Sequence, residues 1–308
     1  PALKREAEGE LKSKGRPCKS SFTLAHTIPM KIVSSNACSK TAPTFPILVS
    51  MSPPPSRYRK LLHQTLLAMH ENAPSPDARD IMIEAILEEE NCERLLLSNE
   101  NFFCVPNMAL RGGQFYDKGH ERVQLLSELF EGDDIEVFLG ICNPATYLPA
   151  QFRRTKFDDF ADMTFGADPR DLRWSDLIYR IRENNPNVSL TVWCNEDTPL
   201  IWGQVIRELA GINPNEKIKG GFDLISEIMT SEGMKRFRAY LADNVDLSEM
   251  QKRRVISAFL DKFGRDEMIE EELDLPGWTE ALVDELSDIY DEDVFEISRI
   301  PGVNYIAP

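Results

Sequence analysis

The chain is predicted to be an α/β protein, with a mainly parallel sheet flanked by helices and a helical C-terminal region. Three observations predict it. Short apolar runs alternate with segments of helical spacing between residues 56 and 212. Those runs lack polar alternation, as expected of strands buried on both faces. Beyond Gly211 the pattern is helical throughout.

RYRKLLHQTLLAMHENA places Tyr58, Leu62, Leu66 and Met69 on one helical stripe, which ends before Pro74. SPDARDIMIEAILEEENCE is a second helix, with Pro in its opening turn and acids near its start. RLLLSNENFF follows as a buried strand over 94–98 running into a polar loop. DKGHERVQLLSELFEGDD is a helix closed by Gly132, and the strand 135–141 ends shortly before Pro144. ATYLPAQFRR continues as a helix or broken turn interrupted by Pro149. DPRDLRWSDLIYRIRENNPN gives another helix, 189–194 another strand, and PLIWGQVIRELAG a helix opened by Pro and closed by Gly. Helices are then expected over 222–230, 232–242, 247–263 and about 278–290. Three strands make a thin sheet for 308 residues, and a further first strand is expected.

Composition sets limits on function. With 42% hydrophobic residues the chain can bury one large core or two smaller ones. Its formal net charge of -16 opposes nucleic-acid binding through a general basic field, although a local basic pocket is compatible with it. No apolar run is long enough to cross a bilayer, and PALKREAEGE lacks the apolar core of a secretory signal, so the cytoplasm is the expected compartment. The six cysteines form no CxxC pair and no metal spacing with the four histidines; reduced core thiols are expected. The acids at Asp288, Asp291, Glu292 and Asp293 read as a solvated face.

The N-terminal part differs from the remainder. Residues 1–60 hold 11 Lys or Arg against 3 acids, and Phe22–Pro55 contains no acid. A basic, disordered arm is one explanation. A second is a double frame error. A shifted reading of residues 18–53 meets no forced stop and permits an acidic, helically spaced segment, with residues 1–17 then upstream sequence. The expected division is therefore 1–55 as an upstream, out-of-frame or disordered segment and 56–308 as a single α/β domain, with its helical part at about 213–308.

Parallel sheets bind ligands beyond the carboxyl ends of their strands. Three polar segments lie there: Ser98-Asn99-Glu100-Asn101, Cys142-Asn143-Pro144 and Asn195-Glu196-Asp197. Helix caps and turns would use the same residue types. Over residues 92–212, and more weakly through the closing PGW segment, this order of segments resembles the bacterial sulfotransferase-like proteins of the P-loop class. The resemblance implies 3'-phosphoadenylyl sulfate as co-substrate and a glycan or small-molecule acceptor, with no permanently bound cofactor. It implies a donor site that includes Ser98, Asn143, Pro144 and Arg153, with Arg111 and Arg154 nearby. It also implies Glu100 as general base, and a structural Glu196-Asp197 pair. The sequence departs from the family at Cys142, where the family has Arg, and at Ala150, where it has Ser. It contains no GxxxxGK[ST] phosphate loop. These departures leave a catalytically inactive binding or scaffold protein as the alternative to a transferase.

Overall fold

The computed structural model describes residues 53–87, 94–213, 216, 218, 220–269, 273 and 275–308, and the backbone alone of 19–23 and 50–51. In chain order the elements are β1 (Lys19–Thr23), β2 (Ser50–Met51), α1 (Pro55–Ala68), α2 (Ala78–Ile86), β3 (Arg94–Leu96), α3 (Gly119–Leu129) and β4 (Glu136–Ile141). They continue with α4 (Pro144–Arg153), α5 (Phe160–Met163), α6 (Trp174–Asn184), β5 (Ser189–Cys194), α7 (Thr198–Ala210) and α8 (Asp223–Ile228). The last are α9 (Ser231–Asp243), α10 (Glu249–Phe263), α11 (Asp266–Ile269), α12 (Glu280–Ile297) and β6 (Val303–Tyr305).

The sheet is parallel, in the order β2-β3-β1-β4-β5-β6. The three expected strands are present. The backbone of Lys19–Thr23 lies between β3 and β4, where a further strand was wanted. The rest of the segment read as upstream or out of frame lies outside the described residues, as does any phosphate loop directly after Thr23.

Strand side chains alternate between the two faces. Val137, Leu139 and Ile141 of β4, with Leu190, Val192 and Cys194 of β5, enter one cluster with α1, α3, α6 and α12. Phe138 and Trp193 point the other way, onto Ile201, Val205 and Leu209 of α7. Both faces of β4 and β5 are thus covered, which explains their unbroken apolar runs. At Gly140 a side chain would meet the Trp193 ring at 3.3 Å, so the indole packs where a Cβ would stand. At the end of α7, Gly211 adopts φ 65°, the left-handed cap expected of that position.

Two details differ from the sequence reading. Pro149 does not break α4, which runs through it. A proline there leaves the Ala145 carbonyl without its helical donor, and the Trp278 indole N–H supplies one at 2.8 Å. The acidic run on α12 is not wholly solvated. Asp288, Asp291 and Glu292 are exposed, but Asp293 is buried and accepts the backbone N–H groups of Trp174 (2.7 Å) and Ser175 (3.3 Å), capping α6 from another helix. Burial pushes the Asp293 carboxyl above the ordinary carboxylate range, against the pull of these hydrogen bonds.

α8, α9 and α10 fall where the sequence places them, α11 was not expected, and α12 runs seven residues beyond its expected end at about 290. Ile225, Met229, Met234, Phe237 and Ile256 form a smaller cluster across α8, α9 and α10. α12 then returns to the main core through Tyr290 and Ile297. Among the described residues no helix is long and apolar enough to cross a membrane.

Candidate functional site

The carboxyl ends of β4 and β5 are joined through Asn143. This residue follows β4 because the apolar run stops at Cys142 and Pro144 then opens α4, where its missing N–H costs nothing. Asn143 is engaged through three of its groups. Its Oδ1 accepts the Ala145 N–H at 2.9 Å as an N-cap, and its Nδ2 donates to Ser287 Oγ of α12 at 2.9 Å. Its backbone N–H donates to Glu196 Oε1 at 2.7 Å. The other Glu196 oxygen accepts from the Tyr290 hydroxyl at 3.3 Å.

Glu196 is an exposed residue whose carboxylate lies in crowded surroundings. Loss of hydration raises its pKa, opposed by the Asn143 N–H, its own backbone N–H and Tyr290. Asp197, half-buried, is raised for the same reason, with Arg253 acting in the opposite sense. Cys142 is buried, and its carbonyl accepts the Trp174 indole N–H at 2.7 Å. Cys194 is buried against Tyr305 at 3.2 Å, and burial pushes its thiol up to about 11. Ala150 packs in the core.

Ser98 and Glu100 belong to the end of β3. The Tyr58 hydroxyl accepts the Ser98 N–H and donates to the Ser98 carbonyl, both at 2.7 Å, and Arg59 Nε donates to that carbonyl at 3.0 Å. Asn99 Oδ1 accepts the Asn101 N–H, closing a tight turn. Glu100 forms an ion pair with Arg59 at 3.7 Å. Arg153 stands apart from the other candidates. It is exposed in the last turn of α4, ten residues and roughly 15 Å of helix beyond Asn143, where a cation suits the helix dipole. The candidate residues therefore fall into two groups: Asn143 and Pro144 with Glu196, and Ser98 with Glu100.

Beside the second group lies a cavity of about 530 Å³, walled by α1, the loop after β3 and the start of α3. Its cations are Arg59, Lys60, Arg111, Lys118 and Arg122, against a single carboxylate, Asp117. Its apolar wall is Phe103, Val105, Met108, Tyr116 and Leu67, with Leu67 55% and Val105 53% exposed at the mouth. Arg122 is buried. Its Nε donates to the Phe102 carbonyl at 3.2 Å, and its guanidinium lies 5.9 Å from the Phe102 ring centroid. Its Nη2 lies 3.2 Å from His63 Nδ1; since Arg only donates, that nitrogen accepts and the imidazole hydrogen sits on Nε2. Burial lowers the Arg122 pKa and pushes the neighbouring Cys104 thiol up to about 12, so this thiol is not an activated nucleophile.

Most of this cluster was missed in the sequence, where Arg111 alone was singled out. A signal was present. Arg59, His63 and Leu67 recur at helical spacing on α1, beside the core stripe of Tyr58, Leu62 and Leu66, and His70 follows just past its end. Among the described residues no group of His, Cys, Asp and Glu is arranged to hold a metal ion. No protein-family model, curated protein or solved structure matches the chain.

Proposed function

We propose that the protein is a sulfotransferase-like α/β protein that serves as a binding or scaffold module and does not transfer sulfate. The observation that carries this reading is the internal engagement of Asn143. Its side-chain oxygen, amide nitrogen and backbone N–H already serve Ala145, Ser287 and Glu196. Cys142 and Ala150 replace the Arg and Ser whose charge and hydroxyl would hold a 3'-phosphate, and a carboxylate, Glu196, lies against the same turn. The absence of any Gly between residues 16 and 111 argues the same way, since a phosphate loop needs close backbone approach.

The second reading, sulfate transfer from 3'-phosphoadenylyl sulfate to a glycan or small-molecule hydroxyl, is favoured by one observation. Glu100 lies at the end of β3 beside a cationic cavity, through its pair with Arg59, a setting for a general base. Calorimetric titration with adenosine 3',5'-bisphosphate and an assay of labelled sulfate transfer separate the two. The binding reading predicts no transfer and no nucleotide affinity that depends on Asn143. Micromolar affinity lost in Asn143→Ala, or transfer abolished in Glu100→Gln, would establish the enzyme instead.

A further inference from the structure

We propose that the cavity between α1 and the start of α3 binds a small phosphate or sulfate monoester, its oxyanion held by Lys60, Arg111 and Arg122 and its aromatic or apolar arm by Phe103, Met108 and Tyr116. This site is separate from Asn143, and the inference holds whichever reading of sulfate transfer is correct.

Charge is the first ground. A chain of net charge -16 gathers five cations and one carboxylate around one cavity. Arg59 and Lys118 have acid partners, Glu100 and Glu121. Among the described residues Lys60, Arg111 and Arg122 form no ion pair with a carboxylate. A cation enclosed as Arg122 is, without an acid, is costly to keep, and an anionic ligand would offset that cost. Its fork is already oriented: Nε and Nη2 are engaged with Phe102 and His63, leaving Nη1 as the donor without a protein partner among the described residues.

Shape and backbone supply the second ground. A cavity of about 530 Å³ has the size of a small-molecule site, and its wall joins an aromatic surface to the cations. Phe103 and Tyr116 stack with centroids 5.1 Å apart. Tyr116 has φ 44°, a left-handed conformation that disfavours a bulky side chain. Three contacts hold it there: its N–H donates to Ala109 at 2.8 Å, its carbonyl accepts from Gly119 at 2.7 Å, and its hydroxyl lies 2.8 Å from that of Tyr147. Strain fixed this firmly beside a cavity is the pattern of a preorganised ligand wall. The exposed Leu67 and Val105 at the mouth extend the apolar surface outward.

The test is calorimetric titration of the full chain with 4-nitrophenyl phosphate, 4-nitrophenyl sulfate, inorganic phosphate and uncharged 4-nitrophenol. Saturable binding of at least one ester is expected, tighter than inorganic phosphate and weakened by salt. Comparison of the two esters identifies which oxyanion the site prefers. Lys60→Glu and Arg111→Glu, both at exposed positions, are expected to weaken the bound ester about tenfold or more each, while the exposed Lys235→Glu, away from the cavity, leaves it unchanged. Absence of saturable binding by both esters at millimolar concentration would overturn the proposal. So would equal binding of 4-nitrophenol, or ester binding indifferent to both charge reversals.

Discussion

The ends of β4 and β5 and the end of β3 are both polar, lie on the same edge of one sheet, and differ in how their polar groups are satisfied. At β4 and β5 the groups satisfy one another: Asn143 uses its cap, amide and backbone N–H on Ala145, Ser287 and Glu196, and α12 adds Tyr290. At β3 the turn is closed by Tyr58 and Asn99, but the neighbouring cavity keeps cations without acid partners among the described residues. A strand end whose donors and acceptors are consumed internally is part of the scaffold. One that leaves charge unneutralised is prepared for a ligand.

The contrast predicts that substitutions at the first region cost stability, and those at the second cost binding. The largest effect is expected next to the first region, at Asp293, the buried α12 carboxylate three residues beyond Tyr290. Asp293→Ala leaves two buried N–H groups of α6 without acceptors and should destabilise the chain by about 2–3 kcal/mol in urea unfolding. Lys60→Glu and Arg111→Glu, by contrast, should stay within about 0.5 kcal/mol of wild type in the same experiment. Equal losses in the two sets would break the comparison. Asn143→Ala should cost about 1–2 kcal/mol through its lost N-cap and its lost bond to α12, read as a lower unfolding midpoint.

Smaller effects sharpen the account. Trp278→Phe keeps most of the apolar surface but removes the donor to the Ala145 carbonyl that Pro149 leaves unmatched, for a loss of about 1 kcal/mol. A larger loss than Asn143→Ala would mean that the bridge to Trp278, not the cap, holds α4. The smallest expected effect is in pH dependence. Because burial raises the folded-state pKa of Asp293, the folded chain binds its proton more readily than the unfolded chain does. The contribution of this carboxyl to stability therefore falls as pH rises from the ordinary aspartate range through the raised value. The stability of wild type minus that of Asp293→Asn should fall over that interval. A difference that rises would contradict the cause assigned here.

The sequence made the strands β4 and β5 legible because both their faces are covered, which produces uninterrupted apolar runs. The capped helices were legible for a similar local reason: Pro144, Pro199 and Gly211 announce their ends. What escaped depended on partners distant in sequence. Pro149 reads as a break until Trp278, 133 residues beyond Ala145, is seen to donate to the carbonyl that the proline leaves unmatched. Asp293 reads as part of a solvated acidic face, since its three neighbours in that run are exposed and only the packing of α12 on α6 buries it. The strand ends were found, but the sequence could not tell a saturated one from one prepared for a ligand. The cations of the cavity come from α1, the loop between β3 and α3, and α3 itself, and only the stripe on α1 left a periodic trace.

The most direct test of the central claim is the location of a bound ester. Crystals soaked in 4-bromophenyl phosphate would report it through the anomalous signal of bromine. A bromine peak is expected against Phe103, Met108 and Tyr116, with the phosphate at Lys60, Arg111 and Arg122, and no peak near Asn143. A peak at Asn143 and Glu196, with the cavity vacant, would contradict that claim.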